Sequence, residues 1–556
     1  MKPTRLCGLV SLIAVLISFG TRPSAAQVAT GTPPFGSFGG GPDTINLGNL
    51  NVHIAIPVVN KAGRGIPFTY QLTYDTSVWY PVGASGSQVW TPVNNWGWQG
   101  QTAVATGYVE YNSSPGSCTS GGRQVPYTIY NFIDYVDAFG VNHYFNLVAD
   151  NLTGHSRCGG PFSASGTTQD GSGYTLNVTG GPSATVIPPR GGSIVPPLGT
   201  VSGAATITDS NGNEITTSGS AFTDTLGTTA LTVAGTAPNP VTFTYTNPQN
   251  TTSAYTLKYT TYTVQTKFNC SGITEFGATS ESLVSEIDLP DISTNSTDKY
   301  TFTYETTPGD THNPHYVTGR LYQVTLPTGG TITYTYSGGG SGVNGITCAD
   351  GSAATLTRST PDGTWTYAHT LVSGTQWSTT ITDPTPQANQ TVLQFQEASN
   401  NFYPTEEQDY SGASTLLRTV YTCYAGAPPC NTGAISLPIT YLYKEVLWPS
   451  GEESATATSY NDYGLYTGET DQDYGNGKAG NLLRQVLVTY ASLGNGIVSA
   501  PAQITIENGS SQTVAQVTYT YDQGTVVTTS GTPQQVSVSG SRGNPTTISR
   551  LCSAPR

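Results

Sequence analysis

Glu469, Asp471 and Asp473 stand two residues apart, so an extended strand would project all three carboxylates from one face. Such a row could bridge a Ca²⁺ ion or act as paired acid and base on a glycoside; as a solvated strand face it would do neither. Trp90, Trp96 and Trp98, with Trp79 and Tyr80 nearby, form the densest aromatic cluster. The alternation of Trp96 and Trp98 predicts both rings on one strand face, where they would stack on sugars or fill a small β core. Asp209, Asn211 and Asn213 mimic the first half of a calcium loop, but Ser220 stands where the twelfth-position Glu is needed, which predicts a hairpin. His312 and His315 flank Asn313-Pro314, loop chemistry with no third ligand at a recognisable spacing. No Gly-x-Ser-x-Gly pentad marks a nucleophile elbow. Gly36, Gly39, Gly40 and Gly41 follow Pro33-Pro34 and open no helix, so they suit a loop better than a phosphate cradle. The chain is therefore expected to be non-catalytic, with no cofactor and no bound metal.

Cysteine usage depends on compartment, and the first residues address that. Lys2 and Arg5 precede the apolar run Leu9–Ile17, and Ser24-Ala25-Ala26 supplies small residues for a peptidase, the pattern of a secretory leader spanning residues 1–26. Its apolar run is too short to span a membrane, and no later segment is long and apolar enough. Export makes disulfides the first reading of the remaining cysteines, and sequence neighbourhood pairs Cys118 with Cys158, Cys270 with Cys348 and Cys423 with Cys430, leaving Cys552 over. Zinc is disfavoured because no CxxC occurs.

The elements that must position these residues are strands. Period-two alternation of aromatic or β-branched residues with Thr recurs in Val241–Tyr245, Tyr300–Tyr304, Ile332–Tyr336 and Val517–Tyr521, with an earlier variant in Phe68–Asp75. Asp137–Gly140, Asp209–Gly212, Asp224–Gly227 and Pro361–Gly363 supply the Asx and Gly residues of hairpin tips. No helical period of useful length follows the leader. With 556 residues the chain is too long for one core, and with only 10% charged residues its surface must rely on Thr, Ser, Asn and Gln. A net charge of −14 with 20 Lys plus Arg excludes a basic nucleic-acid stripe and disfavours anionic lipid.

Tyr316–Leu321, followed by Val324–Gly330 and an aromatic cassette, resembles a tyrosine/aspartate (YD) repeat of Rhs proteins. Tyr460-Asn461-Asp462-Tyr463-Gly464, Tyr521-Asp522 and Arg542–Ile548 are similar to the family's Tyr-Asp-x-x-Gly and Arg-Gly-Asn elements, and Phe402–Thr405 with Leu416–Thr419 to its inter-repeat segments. The opening Phe35–Asp43 is similar to the start of exported Rhs-repeat proteins. The resemblance implies an all-β fold of repeat-built antiparallel hairpins coiled as a β-spiral or partial shell, here with an N-terminal β-sandwich-like region. It lacks the family's C-terminal core and toxin regions, which suggests a truncated copy.

The expected division is a leader at 1–26, an N-terminal β domain at 27–187, a Pro/Gly-rich linker at 188–200, a hairpin region at 201–354, a YD-repeat-like region at 355–550 and a tail at 551–556. The implied function is a secreted or cell-surface scaffold, periplasmic residence remaining open, with a glycan or protein partner. The other reading is a secreted β protein that binds or cleaves glycans through the tryptophan cluster of Trp90, Trp96 and Trp98 and the carboxylates of Glu469, Asp471 and Asp473. Gln535–Gly540, uncharged and alternating Val with Ser, predicts a sticky edge through which chains would associate.

Overall fold

The computed structural model describes residues 34–552, except 94–95, 154–158, 400, 427–429, 431–432 and 528–529. The expected leader, its cleavage site and Cys158 lie outside the described residues. Among these residues the fold is almost entirely β, with one four-residue helical turn, Ala103–Thr106.

One antiparallel sheet of 27 strands runs in chain order from Ser163–Thr167 to Pro545–Cys552. The cassettes build it as their alternation predicts. Val241, Phe243, Phe302, Tyr304, Ile332, Tyr334 and Val517 are buried while intervening threonines face outward. Asp209 and Asp224 form the expected tips: each accepts from backbone N–H groups two and four residues on. Ile273–Thr274 leaves the ribbon and pairs in parallel with Gln88–Pro92.

A second, four-stranded sheet is made of Phe38–Gly40, Thr44–Asn46, Val52–Lys61 and Phe68–Asp75. Phe68, Tyr70, Leu72 and Tyr74, on one face of its last strand, are all buried, while Thr69 on the other face is exposed. The cover is the ribbon. Phe68 and Tyr70 meet Phe222, Tyr70 meets Phe243, and Trp98 meets Phe302 at 4.5 Å. Farther along, the Tyr74 hydroxyl donates to the Gly319 carbonyl at 2.5 Å, Asp43 pairs with Arg358 at 2.5 Å, and Thr379 donates to the Leu47 carbonyl at 2.7 Å. Strands spaced about 4.8 Å apart would carry the ribbon between Phe222 and Thr379 across several tens of ångströms if flat, beyond the reach of a four-stranded sheet. The ribbon therefore curves around the N-terminal strands, and their side chains form one core from Ile45 to Phe402.

Tyr108–Ser120, Arg123–Val136 and Asn142–Asp150 form a three-stranded sheet whose Val109, Phe132, Tyr135 and Ala149 pack on Leu176, Val178, Ala184 and Val186 of the ribbon. The described residues of 27–187 are thus divided between two cores, each shared with the ribbon. The expected linker at 188–200 is also inside the sheet: Ser193–Val195 pairs with Ser183–Ile187 on one side and Ala205–Thr208 on the other. Its prolines flank this short strand, where no ladder hydrogen bond is lost.

The curve brings later strands back onto early ones. Arg190 bridges Ile497, and Gly464 lies against Gly171 so closely that a methyl group there would run into the Gly171 carbonyl. Gln535 bridges Asn213, the Val536 N–H donates to the Gly212 carbonyl at 2.9 Å, and the Glu214 N–H donates to the Gln534 carbonyl at 2.9 Å. The segment expected to offer a sticky strand to a second chain is instead joined in cis to the 209–214 hairpin. The closing strand Pro545–Cys552 has one strand neighbour, Thr513–Tyr521, among the described residues.

Candidate functional site

The sequence-derived candidates do not converge. Trp90 is fully buried with its ring edge-on to Phe268, so it offers no face to a sugar. Trp96 and Trp98 do not sit in a strand; they belong to an irregular segment packed against the main core, Trp98 between Tyr74 and Phe302. The cluster thus does the core-filling that aromatic rings favour in strand-rich proteins. Glu469 and Asp471 lie on Tyr466–Asn476, where Arg484 from the neighbouring strand meets both, at 3.1 and 2.7 Å. That cross-strand pairing occupies two of the three carboxylates weighed for calcium or acid–base work. His312 and His315 both turn to Asp310, at 2.6 and 3.2 Å.

Cys270–Cys348 and Cys423–Cys430 are disulfides, with Cα separations of 5.7 and 5.5 Å. Cys118 is disulfide-bonded as well.

What sequence reasoning missed is a cavity of about 640 Å³, open to solvent, where the two N-terminal sheets face the ribbon. Asp75 comes to it from the Phe68–Asp75 strand, Glu110 and Asp134 from the three-stranded sheet, Asp137 from the tip that follows, Asp350 from the 349–352 loop and Glu397 from the ribbon. Trp79, Tyr80, Trp96, Tyr108 and Tyr144 add rings to its walls, and no Lys, Arg or His is among its lining residues.

Most of these carboxylates have partners in the fold. Asp75 accepts from Asn51 at 2.6 Å and faces His53 at 3.2 Å; Glu397 accepts from the Trp377 indole at 2.9 Å; Asp350 accepts from Ser352 at 2.7 Å. Asp137 lies 3.4 Å from His143, whose other ring nitrogen is 2.6 Å from Asp170. Burial alone would lower the His143 pKa, but Asp170 and Asp137 carry it up to about 10, so this buried ring is a cation at neutral pH.

Asp134 differs from these. It sits directly across from Glu110 in the strand register, is 3% exposed, and its Oδ1 has no hydrogen-bond partner. Burial, then the Glu110 charge, push its pKa up to about 7, with His143 pulling the other way. Burial likewise lifts Asp350 to about 6. Nothing in the sequence sets the register that puts Glu110 opposite Asp134 or brings 349–352 to the same cavity.

No family model matches the chain, and no curated protein matches it. Among solved structures it is similar to TcdB2-TccC3, with 11% identity and a TM-score of 0.20 over 86% of this chain and 26% of that one. It is similar to TcdB2-TccC3-TEV at 10% identity and a TM-score of 0.20, over 92% of this chain and 24% of that one. For TcdB2-TccC3-Cdc42 the values are 9%, 0.18, 85% and 22%. The chain thus spans about a quarter of the length of these structures.

Proposed function

We propose that this chain is a non-catalytic scaffold: an exported, Rhs/YD-repeat-like protein, secreted or held at the cell surface, whose coiled ribbon builds part of a β-shell and meets a glycan or protein partner. The observation that carries this reading is the 27-strand ribbon wound around its own N-terminal strands and joined back to itself at residues 209–214. Such an arrangement spends its polar side chains on strand faces and turns, and the YD-like segments fall on its strands and hairpin tips. The disulfides suit an oxidising compartment.

Cell fractionation with N-terminal sequencing, joined to a polysaccharide-hydrolysis screen, tests the proposal. The expected result is a chain beginning at Gln27, outside the inner membrane, that hydrolyses none of the substrates. Retention of an unprocessed chain in the cytoplasm would overturn the export reading. Hydrolysis abolished by Glu110→Gln would overturn the non-catalytic one.

A further inference from the structure

We propose that the cavity between the N-terminal sheets and the ribbon binds an organic cation, an ammonium-bearing ligand of the size of a small polyamine or a lysine side chain. The proposal is independent of the scaffold reading.

Three observations carry it. The volume of about 640 Å³ lies within the range of small-molecule sites. The charge on its walls has one sign: carboxylates reach it from five separate parts of the chain and no basic side chain lines it, the His143 cation lying behind the wall and offsetting Asp137 and, to a lesser extent, Asp134. Asp134, almost fully buried, leaves Oδ1 without a hydrogen bond. A buried carboxylate without a partner is costly and is relieved either by a proton or by a cation.

The kind of cation follows from how the groups are spread. No three carboxylates among the described residues are placed to share a metal ion. An extended ligand with separated positive charges and methylene linkers suits dispersed carboxylates better than a compact ion does. Tyr80, which is exposed, and the part-buried Trp96 are on the walls, where rings can pack on methylenes or an ammonium.

Calorimetric titration of the disulfide-intact chain with spermidine, with Nα-acetyl-lysine methylamide and with an oligolysine peptide tests the proposal; cellotetraose and CaCl₂ serve as controls. Saturable one-to-one binding of an amine is expected, weakened at least about tenfold in Asp134→Asn, a loss of roughly 1.4 kcal/mol. Asp473→Asn, on the far ribbon, should bind like the parent. Circular dichroism and a melting curve confirm that Asp134→Asn is folded; if it is not, Glu110→Gln takes its place. Binding should also tighten from about pH 6 to pH 8 as Asp134, facing Glu110 and His143, gives up its proton. Preference for spermidine would mark a free polyamine, and preference for oligolysine a polypeptide side chain. Absence of saturable amine binding, binding unchanged in both carboxylate variants, or binding of cellotetraose in place of amines would each overturn the proposal.

Discussion

At the scale of single residues, buried charges decide most. Asp43 and Arg358 are almost fully buried and meet through three hydrogen bonds from the guanidinium at 3.0, 2.7 and 2.5 Å, and Asp43 also accepts from the Tyr334 hydroxyl at 2.8 Å. Removing one member leaves the other charged and unpaired in the core. Asp43→Ala should therefore cost about 3–5 kcal/mol, read as a drop in the urea midpoint, while the exposed pair partner change Glu469→Gln should cost less than about 1 kcal/mol. His143 and Asp134 predict a pH dependence for the 108–150 sheet. The folded His143 pKa lies above its unfolded value near 6.5, so its stabilisation is complete below that pH and lost as pH rises towards about 10. Asp134 is raised in the same direction, so its contribution is lost as pH climbs from near 4 through about 7. Urea midpoints should fall steadily across this range, and His143→Gln should flatten the alkaline limb. None of these pairs was legible in the sequence, because Asp43 and Arg358 are 315 residues apart and only the closed fold brings them together.

At the scale of elements the sequence was most readable where a pattern is local. Thr-aromatic alternation located the strands, and Asx-Gly pairs located their tips, since both are dictated by neighbours one to four residues away. Patterns depending on distant cover misled. Trp96 and Trp98 alternate like a strand, yet they sit in an irregular segment, Trp98 packed on Tyr74 and Phe302 and Trp96 on Trp79. Pro188–Pro197 looks like a linker, yet Ser193–Val195 fits between its prolines and carries the ladder across. Gln535–Gly540 alternates Val with Ser, but its partner is a hairpin tip more than 300 residues earlier. The disulfides sort by loop length. Closing the 78-residue Cys270–Cys348 loop should contribute about 4 kcal/mol and the 7-residue Cys423–Cys430 loop about 2 kcal/mol. Denaturation of Cys270→Ser/Cys348→Ser against Cys423→Ser/Cys430→Ser should show that order.

At the scale of the molecule, the ribbon does not end where its strand order ends. Arg64, in the turn between Val52–Lys61 and Phe68–Asp75, ties three distant parts together. Its backbone N–H donates to Thr225 at 2.6 Å, its Nε to Asn213 at 2.6 Å, and its Nη2 to the Pro533 carbonyl at 2.6 Å. Asn211 and Asn544 exchange side-chain hydrogen bonds beside it. Such contacts need no recognisable motif, which is why a chain whose strands were plain to read still hid its closure. Hydrogen exchange on a dilute monomer tests that closure most directly. The Val536 and Glu214 amides, bonded to Gly212 and Gln534, should be protected independently of concentration, and Arg64→Ala should release both together while the Val241–Thr246 strand stays protected. Free-peptide exchange at Val536 in the parent chain, with the strands still protected, would contradict a ribbon closed on itself.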